Sequence, residues 1–287
     1  MKFQENRYPL AGGNIAAKEF GDTKSSAVTL MFLHGWLDNA ASFDSTIEAL
    51  SRSNFDLHYC AIDLPGHGLS FHKPEGNFYP FHDYVDDLYQ LLTNHFSTQK
   101  IIFVGHSLGA LIASCFSAAF PELVQGLVQI EGVGPLPELE HNTVERLREG
   151  VISRKRILSK PTRSFKGLEP VIQRRAKLNQ LDGKLIEPVI IRGTQKKQGE
   201  YFWRHDIKLQ CHSVYRMSFR HADEVLKQIT CPHVVVLGES GYPELKSRIK
   251  QLDTQQFHLK TVKGGHHCHL ENPIDVSEAI LGLVNKT

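Results

Sequence analysis

The sequence of 287 residues carries little net charge, because 33 Lys and Arg residues are balanced by 31 Asp and Glu residues. A net charge of +2 argues against nucleic acid or a membrane surface as the partner. The chain also lacks low-complexity tracts and tandem repeats, which excludes solenoid and collagen-like classes. It has no apolar run long enough to predict a membrane span, and MKFQENRYPLAGG at its start has no apolar core of signal-peptide length.

Cysteine is scarce, and its distribution is not typical of a disulfide framework. The cysteines are five in number and widely scattered, at Cys60, Cys115, Cys211, Cys231 and Cys268. An odd, scattered set fits free thiols in a reducing compartment better than the paired cysteines of a secreted domain. Taken with the missing signal peptide and membrane span, this pattern predicts a cytoplasmic protein.

Short apolar segments alternate with longer amphipathic ones over much of the chain. The apolar segments, which predict buried strands, are residues 27–33, 57–64, 100–105, 123–131, 231–238 and 257–265. The segments with helical patterning are residues 81–96, 108–119 and 274–285. This alternation predicts an α/β fold, with a mostly parallel sheet covered by helices on both faces.

The alternation fails in the middle of the chain. Residues 134–228 are predicted to form helices without intervening strands, as a cap inserted into an α/β core made of 1–133 and 229–287. Residues 134–230 hold 20 Lys and Arg against 11 Asp and Glu. The ordinary interpretation of this basic segment is a solvated helical surface, and the alternative is attraction of anionic substrates.

The sequence IIFVGHSLGALIA contains a G-x-S-x-G motif at residues 105–109, between a predicted strand and a predicted helix. This is the context in which the central serine, Ser107, becomes a nucleophile on a tight strand-to-helix turn. The neighbouring glycines avoid clashes in such a turn, and the helix N-terminus directs N–H groups at the reacting oxygen. A serine at this position favours acyl transfer over the chemistry of a carboxylate nucleophile.

An acyl-transfer site needs two N–H donors that stabilise the oxyanion. The backbone of Leu108 directly follows the nucleophile and supplies the first donor. LHGW at residues 33–36 follows an earlier strand, which makes the Trp36 N–H the candidate for the second. We interpret His34 in the same segment as a residue that braces the loop.

Several motifs together carry a resemblance to a known family. They are LHGWLDNAASF from residue 33, IDLPGHGLS from 62, GHSLG from 105, IIRGT from 190 and GGHHCHLENP from 264. In this order they resemble the α/β-hydrolase superfamily, and more closely its serine hydrolase-like family. The resemblance implies the α/β-hydrolase fold with a helical cap and a Ser-His-acid triad. It implies no cofactor and names no substrate.

The resemblance places the catalytic base in GGHHCHLENP. A pattern similar to G-H-x-x-x-x-E-x-P assigns the base to His266, with Glu271 and Pro273 in the trailing positions. The alternative for three histidines and a cysteine in four positions is a metal site. Adjacent side chains on an extended loop point apart, and the chain shows no second ligand cluster, so we predict that no metal is bound.

The carboxylate that would orient this base is less obvious. Many relatives place an aspartate three residues after the glycine that ends the penultimate strand, but that position is Gly241 here. Glu239 is nearby but displaced from this position. Glu131 ends the predicted strand that follows the nucleophile helix, where a buried carboxylate would need a partner such as an imidazole N–H. We therefore favour Glu131 over Glu239.

These residues predict a serine hydrolase of a small ester or related acyl substrate, which works through an acyl-enzyme. The alternatives are an acyltransferase with the same triad and a non-catalytic ligand-binding protein, because a fold alone does not confer activity. The expected partner is a small-molecule acyl substrate, and the sequence leaves the oligomeric state open. Bulk and position suggest four pocket-wall candidates, namely Trp36, Leu108, Phe202 and Trp203. Arg192 is a candidate anchor for the cap.

Overall fold

The computed structural model describes residues 2–22, 26, 28–53, 56–252 and 256–287. Of the strand predicted over residues 27–33, Ala27 lies outside the described residues. The strands, in chain order, are β1 (Gln4–Leu10), β2 (Gly13–Phe20), β3 (Val28–Leu33), β4 (Leu57–Ile62), β5 (Lys100–His106), β6 (Val124–Ile130), β7 (Pro137–Glu138), β8 (Ser164–Phe165), β9 (Thr194–Lys197), β10 (Glu200–Trp203), β11 (Met217–Ser218), β12 (His233–Gly238) and β13 (His258–Val262).

Helices separate these strands along most of the chain. In chain order the α-helices are α1 (Asp44–Leu50), α2 (Asp83–His95), α3 (Leu108–Ala119), α4 (Thr143–Leu158), α5 (Glu169–Asn179), α6 (Gly183–Arg192), α7 (Phe219–Lys227), α8 (Pro243–Ile249), α9 (Cys268–Glu271) and α10 (Pro273–Val284). None of the helices in the described part of the chain is long and apolar enough to cross a membrane.

The central sheet has eight strands in the order β1-β2-β4-β3-β5-β6-β12-β13. The strands from β4 to β13 in this order are parallel, while β1 pairs with β2, and β2 with β4, in the antiparallel sense. The predicted α/β class with a mostly parallel sheet is therefore confirmed. The hairpin of β1 and β2 was not predicted, because β1 is a half-exposed edge strand rather than an apolar run.

Both faces of the parallel sheet are buried under helices. Successive side chains of one strand point to opposite faces of the sheet. Phe103 therefore packs with the residues of α2 and α3, whereas Ile102 packs with those of α1 and α10. The same alternation holds for Met31 and Phe32 in β3. Burial on both faces explains why these strands are continuous apolar runs in the sequence.

Residues 134–228, predicted as a helical cap, form α4 to α7 together with short strands. The strands β8, β10 and β9 make a separate three-stranded sheet, and β11 pairs with β7. The sequence did not indicate these strands, because they are two to four residues long and TQKK in β9 is polar. Gln198 and Gly199 both have positive φ values, 51° and 84°, which allows the tight turn from β9 to β10.

A buried ion pair ties this segment to the core. The Arg192 Nε atom at the end of α6 lies 3.0 Å from both carboxylate oxygens of Asp63, which follows β4. The Arg192 Nη1 atom also donates to Glu5 of β1 over 2.6 Å. Asp63 has no exposed surface and accepts the N–H groups of Ala40 and Leu69 as well. Arg192 therefore anchors the inserted segment, as the sequence suggested.

Removal of this anchor should destabilise the protein. Arg192→Gln leaves the Asp63 carboxylate buried without its cation, so we expect a loss of about 3 kcal/mol in the free energy of unfolding, measured by urea denaturation. The matched control is Arg52→Gln, which breaks an exposed pair with Glu48 and should cost less than about 1 kcal/mol. Equal costs for the two variants would contradict the anchoring role.

Candidate active site

Ser107 lies on a strained turn between β5 and α3. Its backbone has φ 49° and ψ −114°, values that a residue other than glycine rarely adopts. The flanking glycines are required by close packing, since an added Cβ would lie 2.5 Å from the Ala110 nitrogen at Gly105 and 1.9 Å from the Leu33 oxygen at Gly109. The turn therefore has the geometry of a nucleophile elbow.

Two backbone N–H groups beside this turn are free to bind an oxyanion. Leu108 is the first residue of α3, where N–H groups have no intrahelical acceptor. The N–H groups of Leu108 and Trp36 have no acceptor among the described residues. The loop that carries Trp36 lies close to Ser107, because a Cβ added at Gly35 would lie 3.4 Å from the Ser107 Cβ.

His34 braces this loop, as the sequence predicted. Its Nδ1 atom donates to the Gly35 carbonyl over 2.7 Å, and its Nε2 atom accepts the Leu64 N–H over 2.9 Å. Burial of the whole ring lowers the pKa of His34, which keeps the imidazole neutral for these two bonds. His34 therefore has a structural role, because both of its ring nitrogens form hydrogen bonds that hold the loop.

The structure brings Glu131 and His266 together. The Glu131 Oε2 atom lies 3.2 Å from His266 Nδ1, and its Oε1 atom accepts the Gly238 N–H over 2.7 Å. The Glu131 side chain has no exposed surface, while His266 is 16% exposed. Glu131 directly follows β6 and has a φ of 51°. A carboxylate accepts hydrogen bonds, so the His266 Nδ1 atom carries the proton and Nε2 is left as a base.

Gly241 explains why the carboxylate comes from β6. A Cβ at this position would lie 2.1 Å from Glu131 Oε1, so a side chain here and the Glu131 carboxylate exclude each other. Glu239, the alternative, is exposed and forms no ion pair with the described residues. The buried Glu131 carboxylate therefore requires a glycine at position 241.

The loop that carries His266 is held from two sides. The His106 Nε2 atom, next to the nucleophile, donates to the His266 carbonyl over 2.8 Å. The Glu271 carboxylate accepts the Gly265 N–H over 2.6 Å. The ring of His266 also packs on Tyr242 with a centroid distance of 4.2 Å. These contacts keep His266 beside the nucleophile elbow.

His267 belongs to a second network, which reaches the inserted segment. Its Nε2 atom lies 3.5 Å from Asp38, whose carboxylate also accepts Arg175 of α5 over 2.8 Å. Burial raises the pKa of Asp38, but the hydrogen bond from His267 and the charge of Arg175 outweigh burial and hold this pKa well below its usual range. His267 thus connects the base loop to α5, a role that the sequence did not indicate.

His269 is fully buried, and neither of its ring nitrogens has a partner among the described residues. Its ring packs against His106 at a centroid distance of 4.1 Å and against Phe43 at 5.2 Å. Burial lowers the pKa of His269 to about 3. Within the described part of the chain, no group of three or more His, Cys, Asp or Glu side chains is arranged to hold a metal ion.

A cavity of about 710 Å³ opens beside the elbow. Trp36 and Leu108 line it, together with residues of the 78–84, 135–154 and 208–217 segments. Phe202 and Trp203, the other predicted wall residues, lie in the small sheet of β10 instead, and Trp203 packs on the cluster around Ile186. The Ser107 hydroxyl forms no hydrogen bond with the described residues, and catalytic hydrogen bonds often close only on a bound substrate.

Comparisons with known proteins bear on the family and the fold. Residues 28–149 match the model of the alpha/beta hydrolase fold family. A serine hydrolase-like protein of Dictyostelium discoideum is 31% identical over 94% of this chain and 78% of its own length. Serine hydrolase-like protein 2 of Homo sapiens is 29% identical over 99% of this chain and 94% of its own length.

Solved structures give the same fold. A hypothetical protein from Pseudomonas aeruginosa PAO1 has a TM-score of 0.88 and 27% identity, with 98% of this chain and 99% of that chain covered. The predicted α/β-hydrolase fold is confirmed, and the protein is a hydrolase of that superfamily. Within it, the chain belongs to the serine hydrolase-like family.

The pairing of Glu131 with Gly241 can be tested by unfolding. Gly241→Ala displaces the Glu131 carboxylate, so we expect it to lower the free energy of unfolding by about 1–3 kcal/mol in urea denaturation. In a Glu131→Ala background, Gly241→Ala should lower the free energy of unfolding much less, because the carboxylate that the new Cβ would meet is absent. The matched control, Gly282→Ala, has open space around the new Cβ. An equal cost of Gly241→Ala in both backgrounds would contradict the pairing.

Acid should destabilise the fold through His269. Its pKa is about 3 in the folded protein against an ordinary 6.5, so between these values the unfolded chain binds a proton that the folded chain does not. The free energy of unfolding is therefore expected to fall as the pH drops below about 6.5. His269→Leu should make this dependence shallower, as measured by thermal unfolding from pH 7 to 4. The exposed His141→Leu should leave the slope unchanged, and an unchanged slope in His269→Leu would refute the assignment.

Proposed function

We propose that the protein is a serine hydrolase that cleaves a small ester or related acyl compound. In this proposal Ser107 is the nucleophile, His266 the base and Glu131 the acid of a catalytic triad. The observation that carries it is the 3.2 Å contact between Glu131 Oε2 and His266 Nδ1, on a loop tethered beside the strained elbow. A solvated glutamate at a strand end would have no reason to bury its carboxylate against an imidazole.

The first half of the reaction forms the acyl-enzyme. Ser107 Oγ attacks the ester carbon while His266 Nε2 takes its proton, and Glu131 stabilises the imidazolium that forms. The N–H groups of Trp36 and Leu108 stabilise the developing oxyanion. His266 then gives the proton to the leaving alcohol, and the ester C–O bond breaks.

The second half releases the acid product. Water enters, His266 takes one of its protons, and the oxygen attacks the acyl carbon of the Ser107 ester. The tetrahedral intermediate collapses as the proton passes from His266 to Ser107 Oγ, which restores the free enzyme. No step requires a metal or an organic cofactor.

Residues 134–228 are proposed to act as the cap over this site. They contribute most of the wall opposite Trp36 and Leu108, and Arg192 and Arg175 hold them to the core. The expected partner is one small acyl substrate. A cytoplasmic location is part of the proposal, because the five cysteines, at 60, 115, 211, 231 and 268, carry free thiols.

An active-site probe tests the proposal directly. A fluorophosphonate should label the wild-type protein at Ser107, detected by mass spectrometry, and should not label Ser107→Ala. The reason is that only a serine activated by a base reacts at a useful rate near neutral pH. Absence of labelling in the wild-type protein would refute the enzyme and favour a non-catalytic ligand-binding protein.

A matched pair of variants identifies the acid in the same assay. Glu131→Gln should slow both labelling and hydrolysis of p-nitrophenyl acetate by about 10³-fold or more, because the amide no longer fixes the imidazole tautomer. Glu239→Gln should react at the wild-type rate, since this side chain is exposed and forms no ion pair within the described part of the chain. The opposite ranking would transfer the role to Glu239.

A further inference from the structure

The cavity of about 710 Å³ beside the elbow is lined by cationic side chains. Four cationic side chains line it, namely Arg146, Arg154, Lys208 and Arg216, whereas no Asp or Glu does so among the described residues. The remainder of the wall is largely apolar, with Phe78, Phe81 and Leu136 as examples. The basic segment over residues 134–230 was expected to form a solvated helical surface, but these four of its side chains line a cavity.

Two of the four cations are already neutralised. Arg146 of α4 forms an ion pair with Glu138, in which two guanidinium nitrogens contact the two carboxylate oxygens. The Lys208 Nζ atom lies 3.4 Å from the Asp206 carboxylate and donates to the carbonyls of Lys73 and Pro74 over 2.8 and 2.9 Å. These contacts hold both residues in place and leave little donor capacity for a ligand.

Arg154 and Arg216 have no ion pair with a carboxylate in the described part of the chain. The Arg154 guanidinium lies over the ring of Phe78, 4.0 Å from its centroid. Stacking on an aromatic ring orients a guanidinium and leaves the N–H donors along its edge free. Arg216 is solvent-exposed on the cavity wall, where partial desolvation and the neighbouring Arg146 lower its pKa.

A smaller cavity of about 370 Å³ shares Arg146 and Arg216 with the large one. Its walls include the carboxylates of Glu138 and Glu140, so its charge is mixed. The uncompensated positive charge therefore belongs to the large cavity, which also reaches Trp36 and Leu108 at the elbow. An anion held there would be part of a molecule that extends to the reacting serine.

We propose that the substrate carries an anionic group, a carboxylate or a phosphate, which Arg154 and Arg216 bind while its apolar part fills the cavity toward Ser107. This inference rests on the proposed function for the reaction itself. The anion neutralises two guanidinium groups that form no ion pair with the described residues, and hydrogen bonds between charged groups are stronger than those between neutral ones. A neutral acyl chain in the same cavity would leave them uncompensated.

A series of p-nitrophenyl half-esters of straight-chain dicarboxylic acids tests the proposal. Each is compared with the substrate of the same chain length whose far carboxylate is methylated. At the chain length that spans the cavity, kcat/KM should favour the free acid by about tenfold or more. This preference should shrink as salt is raised from 10 mM to 500 mM. No preference at any length, together with Ser107-dependent turnover of the methylated esters, would refute an anionic group on the acyl chain.

A second pair of substrates distinguishes the acyl chain from the leaving group as the source of the anion. An acyl-coenzyme A thioester carries phosphates on its thiol part, and the matching N-acetylcysteamine thioester does not. Preference for the coenzyme A thioester would place the anion on the leaving group, and preference for the half-ester would place it on the acyl chain. The proposal fails if neither anionic substrate is preferred over its neutral counterpart.

Variants locate the binding site. Arg154→Gln and Arg216→Gln should each reduce the preference for the anionic substrate over its methylated counterpart by about fivefold or more. Arg148→Gln is the matched control, because Arg148 lies on the same helix as Arg154 but is exposed and lines neither cavity. A loss of preference in Arg148→Gln equal to that in the other two would show a general surface effect and contradict a site.

Binding separates failure of this inference from failure of the proposed function. Ser107→Ala is titrated by calorimetry with monomethyl suberate, with dimethyl suberate as the neutral comparison, and with inorganic phosphate. Saturable binding of monomethyl suberate or phosphate, weakened by Arg216→Gln, would support the anion site even if no ester were hydrolysed. Ester hydrolysis that depends on Ser107, without binding of any anion and without anion preference, would overturn the inference and leave the proposed function standing.

Discussion

The Glu131 carboxylate is the point at which three separate parts of the chain meet. Glu131 directly follows β6, and its carboxylate accepts hydrogen bonds from the Gly238 N–H at the end of β12 and from His266 Nδ1 in the loop after β13. Both of its oxygens are used, and its side chain has no contact with solvent. A buried carboxylate is costly unless donors satisfy it, so this pair of bonds fixes both the loop and the acid. The position of His266 beside Ser107 depends on it.

The Glu131 carboxylate also accounts for the glycine at position 241 and for the backbone conformation of Glu131 itself. Gly241 has no side chain because the Glu131 carboxylate fills that space. Glu131 itself tolerates a φ of 51° because its N–H bonds to Val236 and its carboxylate to Gly238, which together hold the backbone turn. Glu131 and His266 thus meet at the end of the sheet where the carboxyl ends of the adjacent parallel strands β6, β12 and β13 lie together. Such a site requires a particular geometry of its residues but no particular order of them along the chain.

Much of this organisation could be predicted from local patterns. The apolar strands, the elbow around Ser107 and the bracing role of His34 follow from residue type and spacing over a few positions. The antiparallel hairpin and the short strands of the inserted segment could not be predicted, because half-exposed or polar strands depend on their partners. The bond from His267 to Asp38 and Arg175 joins residues distant in sequence. Phe202 and Trp203 were assigned to the pocket by bulk alone, which does not distinguish a wall residue from packing.

Proton NMR observes directly whether Glu131 holds the Nδ1 proton of His266. A strongly hydrogen-bonded imidazole N–H gives a resonance far downfield of the amide region, and its absence from His266→Gln assigns it. We expect Glu131→Gln to move this resonance upfield or abolish it, because a neutral amide is a weaker acceptor than a carboxylate. Glu239→Gln should leave it in place. An unchanged resonance in Glu131→Gln, or its loss in Glu239→Gln, would show that Glu131 does not hold this proton.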